Sequence, residues 1–216
     1  MSENIISVNH IRKSFKDTSV LDDINVKFES GKIYGIVGYN GSGKTVFFKC
    51  ICGFFYVDQG EIIVNGKVLG KDIGILENAG IIIEEPGYLR NLNGYKNLEY
   101  LYRILNKSNK HRIYDVMSRV GLDPLSKKRV SHYSLGMKQR LAIAQAIMED
   151  QDILILDEPM NGLDHKGVEE MRDLFLELKK EGKLILMASH NRADIDILCD
   201  EVYEMEMGKL KRIRNK

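Results

Sequence analysis

The spacing of apolar residues changes twice along this chain, and each change marks a different kind of structure. Near the start, Ile5-Ile6-Ser7-Val8 is a short apolar run, and Leu21-Asp22-Asp23-Ile24-Asn25-Val26-Lys27-Phe28 alternates apolar with polar positions. Both predict strands, the second antiparallel with one face exposed. Lys32-Ile33-Tyr34-Gly35-Ile36-Val37 predicts a short buried strand, and residues 45–52 predict a helix closed by Gly53. Residues 60–68 read as two strands joined at an Asn65-Gly66 turn. From Tyr95 to about Met148 the period becomes helical, as in Ile113, Val116, Met117 and Val120, with Ser108 placed to cap that helix. Residues 152–157 and 183–188 are then nearly continuous apolar runs, as strands covered on both faces should be. Between them Val168, Met171, Leu174, Phe175 and Leu178 form one face of a helix stopped at Gly182. A β-rich start, a helical insertion and a parallel sheet with crossover helices follow, and such a sheet presents ligands at the carboxyl ends of its strands.

The loop between the buried strand and its helix carries specific chemistry. Gly38-Tyr39-Asn40-Gly41-Ser42-Gly43-Lys44-Thr45 puts three glycines, a lysine and a hydroxyl where the phosphates of a nucleotide need them. The glycines let backbone N–H groups turn inward on an anion, and the helix that follows adds its positive end. Lys44 would reach the β and γ phosphates, and the Thr45 hydroxyl would ligate an accompanying Mg²⁺. Asp157 and Glu158 end the run 152–156 and should face the same nucleotide, Asp157 holding metal and Glu158 polarising the attacking water. His190, ending the next strand, is placed to bond a γ phosphate oxygen and couple it to Glu158.

Bulk composition narrows the partners. With 216 residues and 44% hydrophobic content there is room for one large globular domain, or one domain with a small subdomain. A net charge of +1 gives no general reason to expect nucleic acid or an anionic membrane, and the basic run Lys209, Lys211, Arg212, Arg214, Lys216 is expected to be a solvated terminus. No apolar run approaches the ~20 residues of a membrane helix, and Met1-Ser2-Glu3-Asn4 has no features of a secretory signal. Cys50, Cys52 and Cys199 form neither a disulfide framework nor a zinc pattern and are expected in the core, in a reducing compartment.

Taken in order, these groups resemble the nucleotide-binding subunits of ATP-binding cassette (ABC) transporters, over nearly the whole chain. Tyr133-Ser134-Leu135-Gly136-Met137-Lys138-Gln139-Arg140 is similar to the family's signature stretch, Asn161-Gly162-Leu163-Asp164 to the loop that passes between subunits, His190 to the switch histidine, and Phe15 stands where the family stacks a ring on adenine. The resemblance implies an α/β fold of the P-loop NTPase type: a mostly parallel core sheet, an antiparallel β-subdomain and an inserted helical subdomain at about 88–148 of one ATPase domain, 1–216. It implies ATP and Mg²⁺ as ligands, with nucleotide bound by Phe15, Gly38, Tyr39, Asn40, Gly41, Ser42, Gly43, Lys44, Thr45 and Val46. Metal would be bound by Thr45, Asp157 and Glu84, with Glu158 and His190 catalytic. Ser134 and Gly136 would act on the nucleotide of a second ATPase subunit, here a second copy. A separate transmembrane permease would be the other partner, placing the protein in the cytoplasm at the inner face of the cell membrane.

The chain departs from the family pattern at three places. Glu84 stands where glutamine is usual in the loop joining the subdomains, Leu135 and Met137 replace commoner signature residues, and Val46 replaces a hydroxyl. Ile-Ile-Glu-Glu-Pro together with the signature resembles the bacitracin-resistance and lantibiotic-immunity branch, many of whose members continue into a C-terminal accessory domain expected to be absent here. A soluble assembly or translation ATPase and a small-molecule phosphotransferase are the alternatives. The former in this family resembles two fused cassettes, and the latter would not explain the signature helix or Glu158.

Overall fold

The computed structural model describes residues 5–84 and 86–215. In chain order the strands are β1 (Ile5–Phe15), β2 (Thr18–Glu29), β3 (Ile33–Val37), β4 (Gln59–Val64), β5 (Lys67–Val68), β6 (Ala79–Ile82), β7 (Ile153–Asp157), β8 (Leu184–Ala188), β9 (Glu201–Glu206) and β10 (Lys209–Asn215). The helices are α1 (Lys44–Ile51), α2 (Gly94–Leu105), α3 (Lys110–Arg119), α4 (Leu135–Ile147), α5 (His165–Lys180) and α6 (Arg192–Leu198).

The strands pair into two sheets. Four form the antiparallel order β2-β1-β4-β5, and six form β10-β9-β3-β8-β7-β6, in which every pairing is parallel except β9 with β10. Alternation along the parallel strands sends side chains to two separate cores. Ile33, Leu154, Leu156, Ile185 and Met187 pack with α3, α4 and α5 on one face. Tyr34, Ile36, Ile153, Ile155, Leu184 and Leu186 pack on the other against Phe47 and Phe48 of α1 and against Ile6, Leu21 and Phe28 of the antiparallel sheet. α1 is therefore buried between two sheets, and Phe28 meets Tyr34 edge-on at 4.9 Å across that core. The Asn65-Gly66 turn has positive φ at both residues, 51° and 81°, as the two-residue hairpin requires.

The fold is the α/β architecture expected, with four local differences. β1 runs on to Phe15, because its pairing with β2 and β4 stabilises positions whose side chains show no alternation. The expected cap at Ser108 is one residue off: the Asn109 side chain accepts the Arg112 N–H at 3.0 Å, while Ser108 Oγ bonds Glu99 Oε1 at 3.2 Å. The basic C-terminal run is exposed at Lys209, Lys211 and Arg212, as expected of a solvated terminus, but it forms a strand. β10 folds back on β9, and the Arg214 guanidinium binds Asp196 and the carbonyls of Ile195 (2.6 Å) and Cys199 (3.3 Å). Lys216 and Met1–Asn4 lie outside the described residues. Finally, β6 had no clear signal, and it is β6 that delivers Glu84 to the strand ends.

β6 lies hard against α4. A Cβ built on Gly80 would stand 1.8 Å from the carbonyl oxygen of Ala146 and 2.8 Å from Leu154. Helix and strand backbones cannot separate locally to admit a methyl group, so Gly80→Ala should destabilise the protein by about 3 kcal/mol or more, read as a lowered urea midpoint. A midpoint within error of wild type would mean that α4 is free to slide on the sheet.

Candidate active site

Parallel register brings the carboxyl ends of β3, β8, β7 and β6 into one row: Ile36 pairs with Ala188, Ala188 with Asp157, and Leu156 with Ile82. The glycine-rich loop leaves the first of these strands. Gly43 caps α1 in the left-handed region (φ 112°), and Gly38 (φ 149°) passes so close to β9 that a Cβ there would meet the Met205 carbonyl oxygen at 2.3 Å. The loop closes around Lys44, which is only 7% exposed and donates to the carbonyls of Gly38 (2.6 Å) and Tyr39 (3.1 Å). Its ammonium thus sits inside the curl of the loop, held by neutral acceptors with no anion paired to it among the described residues.

The carboxylates are held from the other side. Thr45 Oγ1 donates to Asp157 Oδ2 at 2.7 Å. Glu158 follows with φ 50°, an uncommon conformation for a side chain of its size, fixed because its own N–H donates to the Ala188 carbonyl at 3.0 Å. The His190 N–H donates to Glu158 Oε2 at 3.4 Å, and His190 Nε2 lies 3.1 Å from Oε1. That contact is not aligned as a hydrogen bond, so Oε1 is buried without a donor among the described residues. Burial pushes the Glu158 carboxyl above the usual glutamate range, the Asp157 charge adds to this, and His190 and Lys44 pull the other way.

These groups share one cavity of about 960 Å³, lined by Asn40, Gly41, Gly43, Lys44, Thr45, Val46, Glu84, Asp157, Glu158 and His190 among others. Most residues expected at the site therefore converge on it; six do not. Gly38 and Tyr39 line a second cavity on the other side of the loop, and Ser42 Oγ is buried with no partner among the described residues. Phe15 stands apart, 41% exposed, its ring edge-on to Phe55 at 5.3 Å with Lys13 5.4 Å above it. Ser134 and Gly136 do not line this cavity either. The Ser134 hydroxyl caps α4 by accepting the Met137 N–H at 3.2 Å, and Gly136 is pressed on the loop after β7, where an added Cβ would meet the Gly162 carbonyl oxygen at 2.9 Å. Two contributors stand outside the residues expected at the site, although Gln139 belongs to the signature-like stretch. Gln139 donates to the Pro159 carbonyl at 2.8 Å and so ties α4 to the segment after Glu158, and Lys49 pairs with Glu84 at 2.5 Å. Lys49 becomes visible only once β6 is known to end beside α1.

The donor set fits a hard divalent cation. A hydroxyl and a carboxylate stand 2.7 Å apart beside a loop shaped for phosphates. No group of three His, Cys, Asp or Glu residues that could hold a metal occurs among the described residues, so an ion there would need ligand oxygens from the bound molecule.

Residues 21–161 match the sequence profile described as ABC transporter. The chain belongs to the ABC transporter family. It is an ATP-binding subunit with the ATP-hydrolysing activity of that class. Among relatives, an uncharacterised ABC transporter ATP-binding protein of Bacillus subtilis, YybJ, is 44% identical over 207 residues, covering 96% of this chain and 95% of that protein. The bacitracin transport ATP-binding protein BcrA of Enterococcus faecalis is 38% identical over 96% of this chain and 68% of its own length. The lantibiotic transport ATP-binding protein SrtF of Streptococcus pyogenes is 34% identical, covering 95% and 89%. A bacterial ABC transporter cassette solved as a dimer shares the fold, with a TM-score of 0.86 at 18% identity over 98% of this chain and 100% of that one. ABC ATP-binding subunits pair with one another and work with membrane partners; in this chain no helix among the described residues is long and apolar enough to cross a membrane.

The environment of Glu158 gives a direct test. In a carbon-detected titration its carboxyl signal should turn over above the ordinary glutamate value of 4.5, and His190→Ala should move the midpoint higher still by removing the group that favours the charged form. A midpoint at the ordinary value would mean that the carboxyl is solvated, and one below it that His190 and Lys44 outweigh burial.

Proposed function

We propose that this chain is one ATPase domain, 1–216, with its helical subdomain at about 88–148, that binds ATP and Mg²⁺ in the cavity at the strand ends and hydrolyses ATP with Glu158 as base. The observation that carries the reading is the convergence of the glycine loop, the Thr45–Asp157 pair and the Glu158–His190 pair on one cavity. Backbone N–H groups at Gly41, Ser42 and Gly43 turn on the phosphates with Gly38, Tyr39 and Asn40 shaping the loop, Val46 lines its edge, and Phe15 offers a ring to adenine. Lys44 exchanges the Gly38 and Tyr39 carbonyls for β and γ phosphate oxygens, trading neutral acceptors for charged ones. Thr45, Asp157 and Glu84 hold Mg²⁺, which supplies charge neutralisation at the β and γ phosphates.

The lone, buried Glu158 Oε1 is free to accept a proton from water, and its raised pKa brings its basicity nearer to neutral. His190, beside it, is in reach to bond a γ phosphate oxygen and fix the position of the water between them. Ser134 and Gly136 serve the ATP of a second copy of this chain: they stand at a helix N-terminus, and neither lines the cavity of its own subunit, although Leu135, Lys138 and Gln139 of the same helix do. ATP then joins the two copies, and hydrolysis lets them part. A separate membrane permease takes up this motion, with the ATPase at the cytoplasmic face of the membrane. The likeness to bacitracin and lantibiotic transport proteins supports a peptide antibiotic as cargo, and we take export as its direction.

Two substitutions separate binding from chemistry. Lys44→Ala should weaken ATP binding by at least about tenfold, since a charged hydrogen-bond donor is lost. Glu158→Gln should bind ATP as wild type does, lose turnover by a factor on the order of a hundred or more, and accumulate dimers in size-exclusion chromatography with ATP. Wild-type turnover in Glu158→Gln would remove Glu158 as the base. For the cargo, resistance to bacitracin or a lantibiotic should rise when the gene is expressed together with its neighbouring genes, and no gain with either antibiotic would overturn that part.

A further inference from the structure

Lys49 occupies the last turn of α1, and two contacts hold it still. Its Nζ stands 2.5 Å from Glu84 Oε1 and 5.4 Å from the centroid of the Phe55 ring, which in turn meets Phe15 edge-on at 5.3 Å. Lys49 is the less exposed partner, 21% exposed against 67% for Glu84. Glu84 itself has φ 65°, so the backbone after β6 is turned in an unfavourable conformation while its carboxylate rests on Lys49. Glu84 also lines the cavity that holds Thr45 and Asp157. An ammonium at this distance repels a divalent cation brought to the same carboxylate and holds that carboxylate in place, so the two partners compete for it. A glutamine at this position would make no ion pair, so the acidic side chain both creates the contact and has its added negative charge neutralised by it.

We propose that Lys49 is a latch: in the nucleotide-free protein it keeps the Glu84 carboxylate away from the metal position, and loading with metal and nucleotide exchanges that partner. Lys49 is thereby a positioning residue that sets how much divalent metal the site needs. The proposal rests on the metal role given to Glu84 above.

The test uses Mn²⁺ as a paramagnetic probe, with full-length protein saturated by a non-hydrolysable ATP analogue, and reads free Mn²⁺ by electron paramagnetic resonance. Lys49→Met, which keeps the length and an apolar contact to Phe55, should tighten Mn²⁺ binding about two- to fivefold, the scale of a partly exposed ion pair. Lys49→Arg, which keeps the charge, should stay at the wild-type value. Glu84→Gln alone should change the affinity, and with glutamine at 84 the Lys49→Met tightening should vanish, as required when both changes act through one contact. If Glu84→Gln leaves Mn²⁺ affinity unaltered, the metal role of Glu84 falls and the latch with it. If Glu84→Gln does alter it, but Lys49→Met has no effect or tightens binding equally with glutamine present, the latch alone is overturned.

Discussion

The structure depends on the register of four parallel strands. Because β3, β8, β7 and β6 end level with one another, a lysine, a hydroxyl, three carboxylates and a histidine separated by up to 146 positions in sequence arrive at one cavity without any long loop having to find its place. The register is in turn fixed by burial on both faces. A one-residue slip would exchange the side chains committed to the α1 core with those committed to the helical core, and would carry Asp157 and Glu158 off the row.

Around that row the protein tolerates several local conflicts. Glu158 and Glu84 both have left-handed backbones, Glu158 Oε1 and Ser42 Oγ are buried without partners among the described residues, and Lys44 is enclosed with carbonyls only. Each is unfavourable in isolation, and all lie within one loop or one strand end of each other. The surrounding sheet and α1, with almost uninterrupted apolar burial, offset them, which is how a site can be preorganised for an anion before the anion arrives.

Much of this was legible in the sequence because it depended on local chemistry. The glycine loop announces itself by residue type and spacing, and the strands β7 and β8 by unbroken apolar runs. What depended on long-range pairing was hidden. β6 is four residues long with no alternation, yet it positions Glu84; β10 reads as a string of basic residues, and only its pairing with β9 and the seat of Arg214 make it a strand. The cap of α3 was misplaced by one residue because Ser108 and Asn109 are both good caps, and backbone geometry chose between them. Phe15 and Ser134 were legible as residue types, but a single chain does not bring them to the cavity.

The three cysteines have a practical consequence. None forms a disulfide among the described residues, all are fully buried, and burial pushes the thiols of Cys50 and Cys52 up to about 12. Since the thiolate is the nucleophile, only on the order of one molecule in a hundred thousand would carry it at either of these positions at neutral pH. The native fold should therefore be silent to maleimide reagents at Cys50 and Cys52, so a cysteine engineered onto the surface could carry a fluorophore or spin label without first replacing these two. Any labelling that does appear at them would report unfolding.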